Sequence, residues 1–156
     1  MASRDILDCV PELRLKVPLI IQDYNQQFPD RNLFIVCTLR STAEQQAIWS
    51  IGRTKPPIGP QYYRTYVDGI VRFSKHNPDP SEPLSKAVDF GVSVGGKYIT
   101  ITNYYYPLLD LARKYSLTSG IDFHNTGLPL EALLVNNNFK DWPHVEITGP
   151  LYQVKS

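Results

Sequence analysis

The sequence contains little cysteine, and its cysteines are not arranged for a disulfide framework or a thiolate metal site. The only two, Cys9 and Cys37, form no CxxC pair. Cys37 lies within the apolar stretch LFIVCTL, where we expect it to behave as a small buried hydrophobic residue. The ligands of any bound metal must therefore come from histidine, aspartate and glutamate. Histidine is also scarce, with three copies at His76, His124 and His144.

The sequence also lacks an excess of charge and a long apolar run. A formal net charge of +1 gives no electrostatic footprint for nucleic acid, so we expect no nucleic-acid partner. The longest apolar runs, such as residues 17–21, are far too short to span a bilayer, and we expect no membrane partner. Acidic residues in MASRDILDCVPE interrupt the apolar stretch that a signal peptide needs, which predicts synthesis in the cytoplasm.

The composition and length are those of one globular domain. Hydrophobic residues make up 42% and charged residues 20% of 156 positions, so we expect a single domain over residues 1–156 without a second module. We also expect a monomer. The hydrophobic patterns predict helices and strands that combine into an α+β fold, a small antiparallel sheet flanked by helices. The predicted helices cover residues 11–28 (one helix or a pair), 41–50 and 105–115; the predicted strands cover residues 32–39, 87–94, 97–102, 121–123 and 144–147. Residues 51–68 read as a long surface loop.

Two histidines and one aspartate carry the most distinctive chemistry. Two imidazoles and a carboxylate are a known ligand set for an open, catalytic zinc site, and His76, Asp89 and His144 would provide it. Because they lie in separated segments, only the fold can bring them together. Taken singly, each has an ordinary interpretation: a solvated loop histidine, an aspartate paired with an arginine, and a polar residue at a strand end.

The segment DWPHVE adds two more carboxylates near His144. Asp141 lies three residues earlier, and Pro143 restricts the backbone between them. Such a turn could hold the Asp141 carboxylate beside a metal, where it would accept a proton from an activated water. Glu146, two residues after His144 on the same strand face, could orient a metal ligand without binding the metal itself.

Several short pieces of the sequence jointly resemble one family. Three of them match its SxH…AxD…(D/E)xxHxE signature: SKH at 74–76, AVD at 87–89 and DWPHVE at 141–146. Three more are similar to its "RS..EQ…GRT" stretch: TLRS at 38–41, EQ at 44–45 and GRT at 52–54. The family is that of zinc peptidoglycan peptidases, which includes D-alanyl-D-alanine carboxypeptidases and the L-alanyl-D-glutamate endopeptidases used as phage endolysins. Its members have the Hedgehog/DD-peptidase-like fold.

The resemblance implies a role for each matching residue. It implies zinc as the cofactor, held by three ligands: His76, Asp89 and His144. Asp141 would be the general base, Arg40 would bind the substrate or the developing oxyanion, and Ser74 would lie beside the ligands and the substrate. A guanidinium keeps its charge throughout a reaction, which suits the role implied for Arg40. His124 has no place in the motif and is expected to be a loop residue.

The sequence departs from the family pattern between the first two ligands. The family commonly has SxHxxGxAxD, whereas here PDPSEP at 78–83 is inserted and Ser85 occupies the place of the glycine. A surface loop tolerates such an insertion because loop-closure entropy rises slowly with length. The insertion also leaves Asp79 and Glu82 as alternative ligands.

The function implied by the resemblance is hydrolysis of an amide bond in the peptide stem of peptidoglycan. The upstream pieces favour an L-alanyl-D-glutamate endopeptidase. A single domain with no separate cell-wall-binding domain and no readable signal peptide would fit a phage or prophage endolysin, which the resemblance implies is released to the periplasm by a holin-type partner. A D-alanyl-D-alanine carboxypeptidase is the alternative within the family. A non-catalytic wall-binding or virion structural module, or a metal-free domain, are alternatives of another class.

Overall fold

The computed structural model describes residues 2–50, 75–78 and 82–149. These residues form an α+β domain, as the sequence predicts, with short 3-10 helices at Ile6–Asp8 and Thr102–Tyr105. The α-helices are α1 (Pro11–Gln27), α2 (Thr42–Ser50), α3 (Pro107–Lys114) and α4 (Leu130–Val135). The strands are β1 (Arg31–Cys37), β2 (Ala87–Val94), β3 (Lys97–Ile99), β4 (Leu117–Ser119) and β5 (His144–Ile147).

One antiparallel sheet joins the five strands of the described residues, in the order β1-β2-β5-β4, with β3 on the second half of β2. Strand β2 is central, and its residues alternate between two faces because the side-chain period of a strand is two. Val88, Phe90 and Val92 point into the main core, where they pack with the buried face of α1. That face consists of Leu13, Val17, Ile20 and Tyr24.

Helix α1 is a single helix rather than a pair, although Pro18 lies inside it. Pro11 stands in its first turn, where the missing N–H of proline costs nothing. The predicted capping box opens α2: Ser41 and Glu44 exchange hydrogen bonds of 3.1 Å between the side chain of one and the backbone N–H of the other. Helix α1 precedes β1 in the sequence, and α2 follows it.

Three elements differ from the sequence prediction. Strand β3 ends at Ile99 instead of residue 102, where the 3-10 helix Thr102–Tyr105 begins. The strand predicted at residues 121–123 is wrong, and the strand lies earlier, at β4. Asp122 explains the shift, because its carboxylate accepts hydrogen bonds from the backbone N–H groups of Thr126 and Gly127 and so favours a turn over a strand. Helix α4 was missed because its six residues lie within a segment rich in proline and asparagine.

Candidate metal centre

Strand register places Asp89 and His144 side by side. They are directly opposed partners in the antiparallel pair of β2 and β5, so their side chains share one face of the sheet. Asp89 points away from the apolar core because its neighbours Val88 and Phe90 take the other face. The acid embedded in AVDF is therefore a residue of a polar site and not of the core.

His76 reaches the same face from the short segment 75–78, which is held against the end of β1. The backbone N–H of Arg40 donates to the His76 carbonyl at 2.7 Å, and that of Lys86 donates to the Lys75 carbonyl at 2.6 Å. Ser85, which replaces the glycine of the family pattern, is fully buried, and its Oγ lies 2.8 Å from the Thr38 carbonyl oxygen. The serine thus occupies its position with a hydrogen-bonded side chain.

Three donor atoms converge on one point. The Nε2 of His76 lies 3.2 Å from the Nδ1 of His144, and the Oδ1 of Asp89 lies 3.2 Å and 3.0 Å from these two nitrogens. The three atoms therefore form a nearly equilateral triangle. Among the described residues, Asp89, Asp141 and His144 form one group that could hold a metal ion, and Cys37, His76 and Asp89 form another.

The outer nitrogens of both histidines are held by acceptors. His76 Nδ1 donates to the Thr38 carbonyl oxygen at 2.7 Å, and His144 Nε2 donates to Glu146 Oε1 at 2.8 Å. A carbonyl or carboxylate oxygen can only accept, so these bonds fix the outer nitrogens as N–H groups. In the neutral imidazoles the inner nitrogens then carry lone pairs directed at the triangle. Metal-ligating histidines typically have such outer partners.

The size of the triangle fits a small tetrahedral cation. Zinc binds imidazole nitrogen at about 2.0–2.1 Å, so adjacent ligand atoms of a tetrahedral site lie about 3.3–3.4 Å apart. The three observed edges of 3.0–3.2 Å are within a few tenths of an ångström of this spacing. Two neutral nitrogens and a carboxylate oxygen are also donors that zinc accepts. The residues present fit the ion.

Charge is tightly coupled within the triangle when no metal is bound. Burial lowers the pKa of both histidines, but Asp89 outweighs it and raises the pKa of His76 to about 9 and that of His144 to about 10. Burial in turn raises the pKa of Asp89, and the two imidazolium groups overcome this and hold it well below its usual value. A divalent cation would take the place of the two imidazolium protons as the partner of Asp89.

Asp141 lies beside the triangle on its open side. Its Oδ2 is 3.9 Å from His144 Nδ1, and its side chain is 40% exposed. The turn holds its position, since the Asp141 N–H donates to the Gly120 carbonyl at 2.9 Å and its carbonyl accepts from His144 N–H at 3.1 Å. Partial burial and the charge of Asp89 raise the pKa of Asp141. A partly exposed carboxyl beside the donor atoms can exchange a proton with a water held there.

Arg40 brings a positive charge to the other side of Asp89. Its Nη2 lies 3.7 Å from Asp89 Oδ2, and its Nη1 donates to Gln45 Oε1 at 2.7 Å. Gln45 is buried in α2, so the helix opened by the capping box fixes the guanidinium. The "RS" and "EQ" pieces of the sequence therefore meet in space at this contact.

Not every predicted residue can be placed. Ser74 and Asp79 lie outside the described residues, and Glu82 accepts a hydrogen bond from the Leu84 N–H at 3.2 Å. His124 is an exposed turn residue, as predicted.

Two residues near the site had no signal in the sequence. Cys37 is buried, with Sγ 3.8 Å from His76 Nδ1, the nitrogen that bonds Thr38. Lys75 forms an ion pair with Glu146. Only the pairing of β1 with β2 and the fold of the 75–78 segment bring these side chains to the site.

The fold is shared with an endopeptidase of known structure. The chain resembles the crystal structure of the Serratia marcescens L-Ala D-Glu endopeptidase ChiX with a TM-score of 0.55 and 16% identity, over 95% of this chain and 89% of that one. At this identity the likeness establishes the fold. No family model matches the sequence, and no curated protein matches it. Among the described helices, none has the length and apolar character needed to cross a bilayer.

Proposed function

We propose that this protein is a zinc-dependent peptidase that hydrolyses the L-alanyl-D-glutamate bond in the peptide stem of peptidoglycan. The observation that carries the proposal is the triangle of inner donor atoms from His76, Asp89 and His144, with the partly exposed Asp141 carboxyl beside it. The fold shared with an L-Ala D-Glu endopeptidase supports the choice of bond. The role as a phage or prophage endolysin, released by a holin-type partner, rests on the sequence resemblance.

Each residue of the site has a separate proposed role in amide hydrolysis. Zinc bound at the triangle would polarise the scissile carbonyl and lower the pKa of a water to about 7. Asp141 accepts the proton of the attacking water and then delivers it to the leaving amine. Arg40 places a permanent positive charge next to the site, where it stabilises the carbonyl oxygen as negative charge develops on it. Ser74 is proposed to contact the substrate.

Digestion of purified cell walls, followed by mass spectrometry of the products, tests the proposal. The expected products have a new amino terminus at D-glutamate and leave L-alanine on the wall, and their formation stops with a chelator and resumes with zinc. Loss of a terminal D-alanine would instead identify a D-alanyl-D-alanine carboxypeptidase. Tight wall binding without cleavage would identify a non-catalytic module. Cleavage unchanged by chelation would rule out the zinc mechanism.

A further inference from the structure

Lys75 is a buried lysine whose ammonium group is fully used inside the protein. Its side chain is 4% exposed, and Nζ lies 2.6 Å from Glu146 Oε2. Nζ also donates to the carbonyl oxygens of Ile147, at 2.6 Å, and Gly149. An ammonium has three protons, and each has an acceptor here. Lysine is rarely buried, and when it is, it has a specific partner. The partners of Lys75 therefore indicate what this lysine does.

Glu146 connects this ammonium to the candidate metal centre. One carboxylate oxygen pairs with Lys75, and the other accepts the 2.8 Å hydrogen bond from His144 Nε2. The chain Lys75–Glu146–His144 therefore ends at the imidazole whose inner nitrogen belongs to the triangle. Lys75 also directly precedes His76 in the sequence, so one dipeptide contributes to the placement of both histidines.

We propose that Lys75 is a positioning residue for the metal centre, acting through Glu146 on His144. The ammonium neutralises the Glu146 carboxylate and fixes its rotamer. The carboxylate in turn fixes the orientation and tautomer of His144, so that Nδ1 presents its lone pair to the metal. Removing the ammonium leaves a buried carboxylate without its counter-charge, and the hydrogen bond to His144 loosens. This inference rests on the proposed zinc site.

A purely structural role for Lys75 makes a different prediction. The bonds to the carbonyls of Ile147 and Gly149 hold the chain after β5, and their loss would lower stability without passing through Glu146. The two roles separate in a double-mutant cycle, because residues that act through one contact have non-additive effects. The property to measure is zinc affinity, by competition with a chromophoric chelator.

The cycle comprises the variants Lys75→Met, Glu146→Gln and the double variant. Each single change is expected to weaken zinc binding about 10- to 100-fold, as for other partners of ligating histidines. The zinc affinity of the double variant should be no lower than that of the single variant that binds zinc less tightly. The visible absorption of Co²⁺ bound to Lys75→Met should also change, since it reports ligand geometry. Lys114→Met removes a 59% exposed lysine from its ion pair with Asp23 and should bind zinc like the wild type.

Two results would overturn the inference. One is wild-type zinc affinity in Lys75→Met or in Glu146→Gln; the second variant keeps Lys75 and the shape of residue 146, and serves if Lys75→Met does not fold. The other is a double variant weakened by the product of the two single effects. A wild-type protein that binds no zinc would overturn the proposed function itself, so the two failures are distinguishable.

Discussion

At the scale of single residues, His144 uses its two ring nitrogens for different tasks. Nε2 is tied to Glu146, and Nδ1 faces Asp89 and His76. His76 has the reverse arrangement, with Nδ1 tied to the Thr38 carbonyl and Nε2 facing the triangle. His76 therefore directs Nε2 and His144 directs Nδ1 toward the triangle, because the other nitrogen of each ring is hydrogen-bonded to a different acceptor.

The role of Asp141 can be separated from metal binding. Asp141→Asn is expected to lower kcat on cell-wall substrate by about 10²- to 10⁴-fold, because the amide cannot take the proton of the attacking water. The same variant should keep about one equivalent of zinc, since Asp141 lies outside the triangle of donor atoms. Kinetic assays and elemental analysis on one preparation measure both.

Asp110→Asn is the matched control for this variant. Asp110 is an exposed carboxylate on α3, and its amide variant should retain wild-type kcat. Full activity in Asp141→Asn would show that another group is the general base.

At the scale of elements, the site lies where β2, β5 and the 75–78 segment meet. Gly120 allows the turn that carries Asp141 to pack closely against this region. A Cβ on Gly120 would lie 2.1 Å from the Asp141 carbonyl oxygen and 3.0 Å from His144 Cβ. Gly120 N–H also donates to the His144 carbonyl at 2.7 Å. A side chain at this position would therefore displace the turn that carries Asp141.

Gly120→Ala is accordingly expected to lower the free energy of unfolding by about 1–3 kcal/mol, the usual cost of overpacking, and to reduce kcat in the fraction that remains folded. Chemical denaturation and cell-wall digestion measure the two effects. Gly91→Ala is the control, since the atoms nearest to its Cβ would be at the ring ends of Phe34 and Tyr98, which can move. Equal kcat values in the two variants would mean that the turn does not position Asp141.

The elements show which parts of the fold the sequence could predict. Strand β2 and strand β5 have the predicted bounds, 87–94 and 144–147, since each is a short β-branched run with clear limits. The capping box predicted the start of α2 because it, too, is a signal within a few neighbouring residues. Strand β4 was misplaced because the Asp122 turn depends on hydrogen bonds to residues further along the chain.

The site was predictable in part. The family resemblance indicated His76, Asp89, His144 and Asp141 as a set, and the structure brings these four together. The spacing of these residues in the sequence could not predict that they lie together, because their convergence depends on the register of β2 with β5. The contribution of Lys75 had no sequence signal, since it follows from a contact across 71 positions with Glu146.

At the scale of the whole molecule, zinc binding should be coupled to pH. With pKa values of about 9 and about 10, both histidines are protonated at pH 7 in the metal-free protein. A metal requires their neutral forms, so binding should release about two protons and tighten by about two decades per pH unit near neutrality. Calorimetry in buffers of different ionisation enthalpy measures the release. An affinity independent of pH between 6 and 8 would contradict this ionisation state.

The stability of the metal-free protein should show the opposite pH trend. The folded pKa values of His76 and His144 lie above the unfolded value of about 6.5, so the stabilisation by their charged forms is present below about pH 6.5. It is lost as the pH rises through about 9 and about 10. The melting temperature of the chelated protein should therefore fall between pH 7 and 10, and a constant or rising value would contradict the assignment.

The metal content of the purified protein tests the central claim most directly. After loading with zinc and removal of free ion, elemental analysis should find about one equivalent in the wild type and in Asp141→Ala, as expected for a single site with three protein ligands. His76→Ala, Asp89→Ala and His144→Ala should each retain far less than one equivalent. A wild type without zinc, or three ligand variants that all keep a full equivalent, would contradict the account.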